Sequence, residues 1–340
     1  MQLNKIFSNI IRLATALAFL VVVLGAYVRL SDAGLGCPDW PGCYGQLIVP
    51  LDAQEAQSLE HDYKERPLEH DKAWKEMVHR YAAGTLGLLI LLLVLAAWKN
   101  RAKPGQPVIT SGILLVLVIF QALLGMWTVT LLLKPVIVMG HLLGGMLILS
   151  LLFWLMLRLS HGIGHPAPAS RSLLPWALSG IVVVAVQISL GGWTSANYAA
   201  LVCPDFPMCQ GSWWPPMDFA EGFRLWRGLG IDYEGGVLGA DARTAIHVSH
   251  RLGALLSLLV ITAVALRAIR DNNRQVSKTG IALLLLLLIQ IGLGITNVVQ
   301  LLPLPVAVAH NGVAALLLLC LVTLLNYSVP NKTNDGHSIG

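Results

Sequence analysis

Eight apolar stretches, each close to the length of a membrane span, dictate what this 340-residue chain can become. They run over about 11–30, 74–98, 107–129, 136–158, 173–193, 244–267, 279–300 and 306–326. Roughly 20 helical residues cross a hydrocarbon core of about 30 Å. Lipid offers no hydrogen bond to a bare peptide group, so only helices or closed barrels can span it. The alternating polar and apolar residues of barrel strands are missing, and the stretches read as helices. The fold class is therefore an all-α integral membrane protein with the lipid bilayer as its surroundings. Only 12% of residues are charged, against about 25% in a soluble domain. The net charge of +5 is carried by particular loops and implies no nucleic-acid partner.

Those loops set the orientation. Lys5 and Arg12 precede the first helix, Lys99, Arg101 and Lys103 follow the second, and Arg158 and Arg171 flank the link from fourth to fifth. Arg267, Arg270, Arg274 and Lys278 join the sixth to the seventh. Basic loops stay in the cytoplasm, so both termini are expected there. The long loops at 31–73 and 194–243 hold most of the acidic residues and face the other side. Within the first, Asp52 to Lys75 reads as a partly helical external segment. The second is rich in Gly, Pro and aromatic residues, including Trp213, Trp214 and Trp226, which suit the headgroup region. Lys5, Arg12 and Ser31-Asp32-Ala33 resemble a signal peptide and its cleavage site. The end of that helix matches the end of the fifth, however, so it is expected to be retained.

The chain repeats itself. Gln121–His141 aligns without a gap on Gln290–His310, and the HRYAAG beginning at His79 matches the HRLGAL beginning at His250. Cys37-Pro-Asp-Trp-Pro-Gly-Cys43 matches Cys203-Pro-Asp-Phe-Pro-Met-Cys209, and Gly25 and Gly191 close the helices before them. Chance likeness between leucine-rich helices does not place Cys, Pro, Asp, Gln and His in one order twice. A unit with four spans re-enters the membrane in the same sense. Two parallel four-helix-bundle repeats are expected, related by an axis along the membrane normal. They divide the chain into 1–165 and 166–340.

Four histidines, His79, His141, His250 and His310, stand near the starts of the second, fourth, sixth and eighth helices. One histidine on each of two neighbouring helices can hold a haem iron from both sides, and bundles build such sites from inward-facing side chains. A lone histidine is as often a satisfied packing residue; four at duplicated positions argue for two metal-centred sites. Zinc would need four converging donors, with no Cys or carboxylate cluster to supply them. Glu76 lies three residues before His79 and His247 three before His250, so the sites are chemically unequal. A carboxylate beside one of them can act as an acid or base, or it can be a solvated interfacial acid. Arg80 and Arg251 follow the histidines, and Arg29 ends the first helix. Each can meet haem propionates or reach for the interface.

Two local disulfides, Cys37–Cys43 and Cys203–Cys209, are the leading reading of the cysteines on the oxidising side. A redox role for the first pair stands beside it. Cys320, inside the last helix, reads as packing. Gly144, Gly145, Gly253 and Gly294 near the histidines allow close helix approach or room for a flat cofactor.

GAYVRLSDAGLGCPDWPGC, the ExxHR of Glu76 to Arg80, the later helices with a single His and the duplication of all this resemble the haem A synthase family over residues 12 to 326. The resemblance implies an oxidoreductase that converts the C8 methyl of haem O to a formyl group by two successive hydroxylations, supplying haem A to cytochrome oxidase. It implies that His79 and His141 hold the substrate haem O, with Glu76 as catalytic carboxylate, and that His250 and His310 ligate the iron of a b-type haem. The implied partners are a haem O synthase as donor, an electron donor and the cytochrome oxidase assembly machinery. The expected location is the bacterial inner (plasma) membrane, with the Cys-containing loops periplasmic, since no basic, Ser-rich presequence is present. A di-haem b-type quinol-linked electron-transfer protein is the alternative. It accounts for the histidines but not for Glu76 at one site only. A two-repeat transporter would place its polar residues at the bilayer midplane, whereas these lie toward one face.

Overall fold

The computed structural model describes residues 2–49, 66–103, 105–160 and 171–329. Most of the charged segment from Asp52 lies outside the described residues, as does the tail from residue 330. Eight helices long and apolar enough to cross a membrane are present: α1 (Gln2–Leu30), α2 (His70–Lys99), α3 (Val108–Thr130), α4 (Pro135–Ser160), α5 (Leu174–Ala196), α6 (Ala240–Ile269), α7 (Arg274–Val299) and α8 (Leu304–Ser328). A single turn at Phe219–Gly222 and a 3-10 turn at Arg171–Leu173 complete the described helices. No strand occurs among the described residues; only isolated bridges at Cys43–Gln46 and Cys209–Ser212 do.

Four helices outrun the hydropathy pattern at their starts: α1 begins at Gln2 and α7 at Arg274 rather than near 11 and 279, and the other two lie on the side of the long loops. The apolar stretches begin near residues 74 and 244, yet α2 starts at His70 and α6 at Ala240. Asp71 and Asp241 occupy the first turns, where a carboxylate opposes the positive end of the helix dipole. These polar turns carry each helix above the lipid and toward the loops.

The helices close into two rings. Helix α1 packs on α2, α2 on α3, α3 on α4 and α4 back on α1; α5 to α8 close in the same way. Contacts of α1 with α8 and of α4 with α5 and α8 join the rings. The outer helices turn leucine-rich faces away from the protein: Leu88, Leu92 and Leu95 of α2, and Leu252, Leu255 and Leu259 of α6, are exposed. In water such faces would be costly; lipid is their natural solvent.

One apolar core runs through both rings, built from Ile11, Leu93, Leu114, Leu152, Ile261, Leu283 and Leu321 among others. These residues belong to the part of each helix remote from the long loops. Packing there is tight: a Cβ on Gly280 of α7 would fall 2.8 Å from the Ala265 carbonyl oxygen and 2.9 Å from the Ala268 Cβ of α6. Toward the loops the core gives way to the histidines.

Helix ends repeat as well. Asp32 after α1 and Tyr198 after α5 take φ near 50°. Each is followed by a residue whose N–H reaches back into the helix, Ala33 to Val28 and Ala199 to Thr194. Left-handed Leu132–Leu133 and Leu301–Leu302 make the α3–α4 and α7–α8 turns. Branched side chains rarely adopt this backbone. Here the N–H groups of Leu133 and Leu302 close onto the carbonyls of Thr128 and Asn297, both at 2.8 Å.

Candidate functional site

Each histidine rests on a glycine of the preceding helix. A Cβ added to Gly25 of α1 would lie 3.1 Å from Cε1 of His79; on Gly125 of α3, 3.2 Å from that of His141. In the other ring Gly191 of α5 meets His250 at 3.1 Å, and Gly294 of α7 meets His310 at 3.2 Å. A side chain at these places would crowd the imidazole and oblige it to shift by a few tenths of an ångström, so glycine suits the close approach of ring and backbone. Helices α2 and α4 stand diagonally in their ring, so His79 and His141 face each other, with centroids 6.4 Å apart and planes at 78°. His250 and His310 stand on the corresponding diagonal of the second ring, on α6 and α8.

This geometry fits a haem iron. Metal–nitrogen bonds of about 2 Å on opposite sides of one ion would set two ring centres roughly 6 Å apart, near what His79 and His141 show. The Nδ1 atoms of His79, His141 and His310 are buried without a hydrogen-bond partner, an arrangement that an apolar interior rarely tolerates.

Glutamines support three of the four histidines. Gln187, four residues before Gly191, sets its side-chain nitrogen 3.0 Å from His250 Nδ1 and 3.1 Å from the His250 carbonyl oxygen. Gln290, four before Gly294, lies 3.2 Å from a ring nitrogen of His310. Gln121, four before Gly125, donates to the carbonyl of His141. At the equivalent place in α1 stands Val21. Sequence reading used Gln121 and Gln290 only to align the halves. The recurring Gln-x3-Gly ahead of three of the four histidine helices is the signal for their role.

Glu76 is buried at 5% exposure and is no solvated surface acid. Its Oε2 accepts the Cys37 N–H at 2.9 Å and its Oε1 accepts from the Arg80 guanidinium at 2.6 Å. Arg80 also donates to the carbonyls of Asp39 (2.9 Å) and Gly42. Glu76 and Arg80 together therefore clamp the first disulfide loop onto α2. Cys37–Cys43 closes this loop with Cα atoms 4.8 Å apart, and Cys203–Cys209 closes the second at 4.6 Å. Arg251 holds the second loop through the carbonyls of Met208 (2.7 Å), Asp205 (2.9 Å) and Cys203 (3.1 Å). His247, also buried, places Nδ1 2.9 Å from the Ala199 carbonyl oxygen.

Arg29 bridges the halves. It donates to the Ser195 carbonyl at 2.6 Å and the Tyr198 hydroxyl at 3.1 Å, with its guanidinium 4.3 Å from the Tyr198 ring centre. The hydrogen bonds of the three arginines expected near propionates thus go to loops, helix ends and, for Arg80, the Glu76 carboxylate. A second bridge escaped sequence reading altogether. Lys134, in the α3–α4 turn, is buried beneath Trp226 with Nζ 3.1 Å from its ring centre, and donates to the Gly228 carbonyl. Burial pushes its amine below the usual lysine range. Tyr233 N–H meets the Leu132 carbonyl at 3.1 Å, and Arg66 pairs with Asp232 and Glu234 at 2.7 and 2.8 Å. The long loop of the second half therefore lies across the first.

The family model for cytochrome oxidase assembly proteins, COX15-CtaA, matches residues 8–322. A protein of Shewanella oneidensis named heme A synthase is 44% identical over 327 residues, covering 96% of this chain and 97% of the relative. Proteins of the same name from Rhizorhabdus wittichii and Halalkalibacterium halodurans are 28% and 26% identical. They cover 93% and 96% of this chain, and 92% and 95% of their own lengths.

Proposed function

The chain belongs to the COX15-CtaA family of cytochrome oxidase assembly proteins, and we propose that it makes haem A by oxidising the C8 methyl of haem O to a formyl group. The observation that carries this reading is the pair of histidines packed on glycine, met once in each half and with rings facing each other in the first, in a chain similar to heme A synthases along nearly its whole length.

Residues 1–165 form the substrate half and 166–340 the cofactor half, as parallel four-helix repeats. His79 and His141 hold haem O. Arg29 and Arg251 each keep a buried Nε without a hydrogen-bond partner, and these are the donors left to meet propionates on the loop side. Arg80 would have to give up its bond to Glu76 to join them. Glu76 is the acid–base residue. It lies one helical turn from His79, and Cys37 and Arg80 fix its two oxygens. Two hydroxylations convert the methyl to a gem-diol, which loses water to give the aldehyde. Each removes two electrons from the carbon, and with dioxygen as oxidant each also draws two from an outside donor. A b-type haem on His250 and His310 supplies electron relay when bound. The chain's contribution there is to hold both imidazoles in place through Gln187 and Gln290.

The basic loops and both termini lie in the cytoplasm, and the disulfide loops in the periplasm of a bacterial inner membrane. A haem O synthase supplies the substrate, and the product serves cytochrome oxidase.

Pigment extraction and mass spectrometry of the purified protein test the reading. Haem O or haem A beside haem B is expected. Two stoichiometric haem B groups, untouched by His79→Ala and still reducible by quinol, would mark an electron-transfer protein instead. Glu76→Ala is expected to stop product formation and leave the haem B spectrum intact; loss of that spectrum would refute the division of roles between the halves.

A further inference from the structure

The long loop of the second half carries a cationic cavity to the level at which the spans end. Its contacts with Leu132 and Lys134 fix that level, since both belong to the turn between α3 and α4. At the matching turn of the second half Val299 and Leu301 stand exposed, as suits apolar side chains that meet lipid. Over the α3–α4 turn the exposed apolar groups come from the loop instead, as Leu225, Trp226 and Leu229. Tryptophan and leucine beside arginine are what the headgroup region accepts.

Arg224, Trp226, Arg227, Ile231 and Val237 line a cavity of about 400 Å³ there. Two arginines and no acid face it, and the Lys134 amine lies beneath the Trp226 ring. Arg227 is engaged: both the carboxylate and the main-chain carbonyl of Glu221 hold its guanidinium, and its side chain is only 13% exposed. The Arg224 side chain is 63% exposed and meets Glu221 only at 3.7 Å. A guanidinium so placed keeps its forked donors for a ligand, and that fork matches phosphate. Ile231, which packs with Leu133 and Val138, joins Val237 in an apolar wall. An anionic phosphate on an apolar body, met at a membrane surface, answers all of these features. We propose that the cavity holds the headgroup of an anionic phospholipid, with its phosphate on Arg224 and its acyl chains running past Leu225 and Leu229 into the bilayer. Arg227 and Lys134 add their attraction for the charge. The bound lipid braces the loop that lies across the first half.

The test uses full-length protein in nanodiscs of phosphatidylcholine, into which phosphatidylglycerol is titrated, with hydrogen exchange read over residues 223–237. Phosphatidylglycerol is expected to raise protection there. Arg224→Gln should need about fivefold more of it, the worth of one cation at an anionic surface. Leu229→Ser should weaken the response as well. Arg274→Gln, at the start of α7 and so at the opposite end of the spans, should respond like wild type. The proposal is overturned if wild-type protection ignores phosphatidylglycerol, if Arg224→Gln responds like wild type, or if Arg274→Gln shifts as far as Arg224→Gln. Inorganic phosphate or haem O that protects the segment equally in pure phosphatidylcholine overturns a lipid as the occupant. Should Arg224→Gln fail to fold, a wild-type response in Leu229→Ser overturns the proposal in its place.

Discussion

The two disulfide loops share a backbone but not a means of attachment. Both pass through a cis proline, Pro41 or Pro207, and both turn at a left-handed pair, Tyr44–Gly45 or Gln210–Gly211. Both also receive an arginine from the next helix. In the first half that arginine is shared with a buried acid, since Arg80 meets Glu76 as well as the loop carbonyls. In the second, Arg251 meets carbonyls and His247 turns to Ala199. A duplicated scaffold thus serves two ends. One copy fixes a carboxylate through its loop, and the other only fixes its loop.

Removing the arginines should separate the copies most sharply. Arg80→Ala strands the Glu76 carboxylate in a buried place, a loss of about 3–5 kcal/mol. Arg251→Ala unpairs loop carbonyls but strands no charge, and a hydrogen bond to a charged group is worth about 1.5–3 kcal/mol. Thermal unfolding of the solubilised variants should therefore rank Arg80→Ala as the less stable. Adding Glu76→Gln to Arg80→Ala should recover part of the loss. Equal destabilisation, or no recovery, would show that the clamp works alike in both halves.

The contrast was partly legible in the sequence. Spans, the order of repeated motifs and the unequal Glu76 and His247 follow from residue type and spacing, because lipid penalises polar groups and leaves few places for them. The clamp was not legible: nothing in the spacing of Glu76 and Cys37 says that a loop N–H will meet that carboxylate. Lys134 was missed for a related reason. A lysine in a short turn reads as solvated, and only the return of Trp226 and Gly228 from the other half buries it. The glutamines lay in view, but their contact with histidine depends on helix rotation, which the Gln-x3-Gly pattern encodes only once the partner helix is known.

A smaller effect concerns how close each loop lies to its helix. A Cβ on Gly36 would fall 2.6 Å from the Lys72 carbonyl carbon and 2.8 Å from the Ala73 nitrogen, atoms that cannot step aside. The matching position in the second half is Val202, so that loop already accommodates a side chain. Gly36→Ala should cost about 1–3 kcal/mol by overpacking and lower product formation as Cys37 draws away from Glu76. Val202→Ala should leave product formation unchanged. A Gly36→Ala protein with wild-type turnover would show that the Cys37 contact does not matter for chemistry.

The smallest difference is in acid. Asp205 accepts the Gly211 N–H at 2.8 Å and the Gln210 N–H at 2.6 Å. Those amides, Gly211 foremost, hold its carboxyl below the usual carboxylate range. The stabilisation is complete above the unfolded value of about 3.9 and is lost as pH falls through the lower folded value. Asp39 makes the same pair of contacts, to Tyr44 at 2.7 Å and Gly45 at 2.8 Å. Tyr44, however, is itself buried with Val49, Ala73 and Met77, and apolar packing does not titrate. Hydrogen exchange, corrected for intrinsic rates, should show residues 203–212 losing protection on acidification before 37–46 do. Asp205→Ala should remove that pH dependence from the second loop. Simultaneous opening of both loops would mean that the carboxylates, not Tyr44, hold them shut.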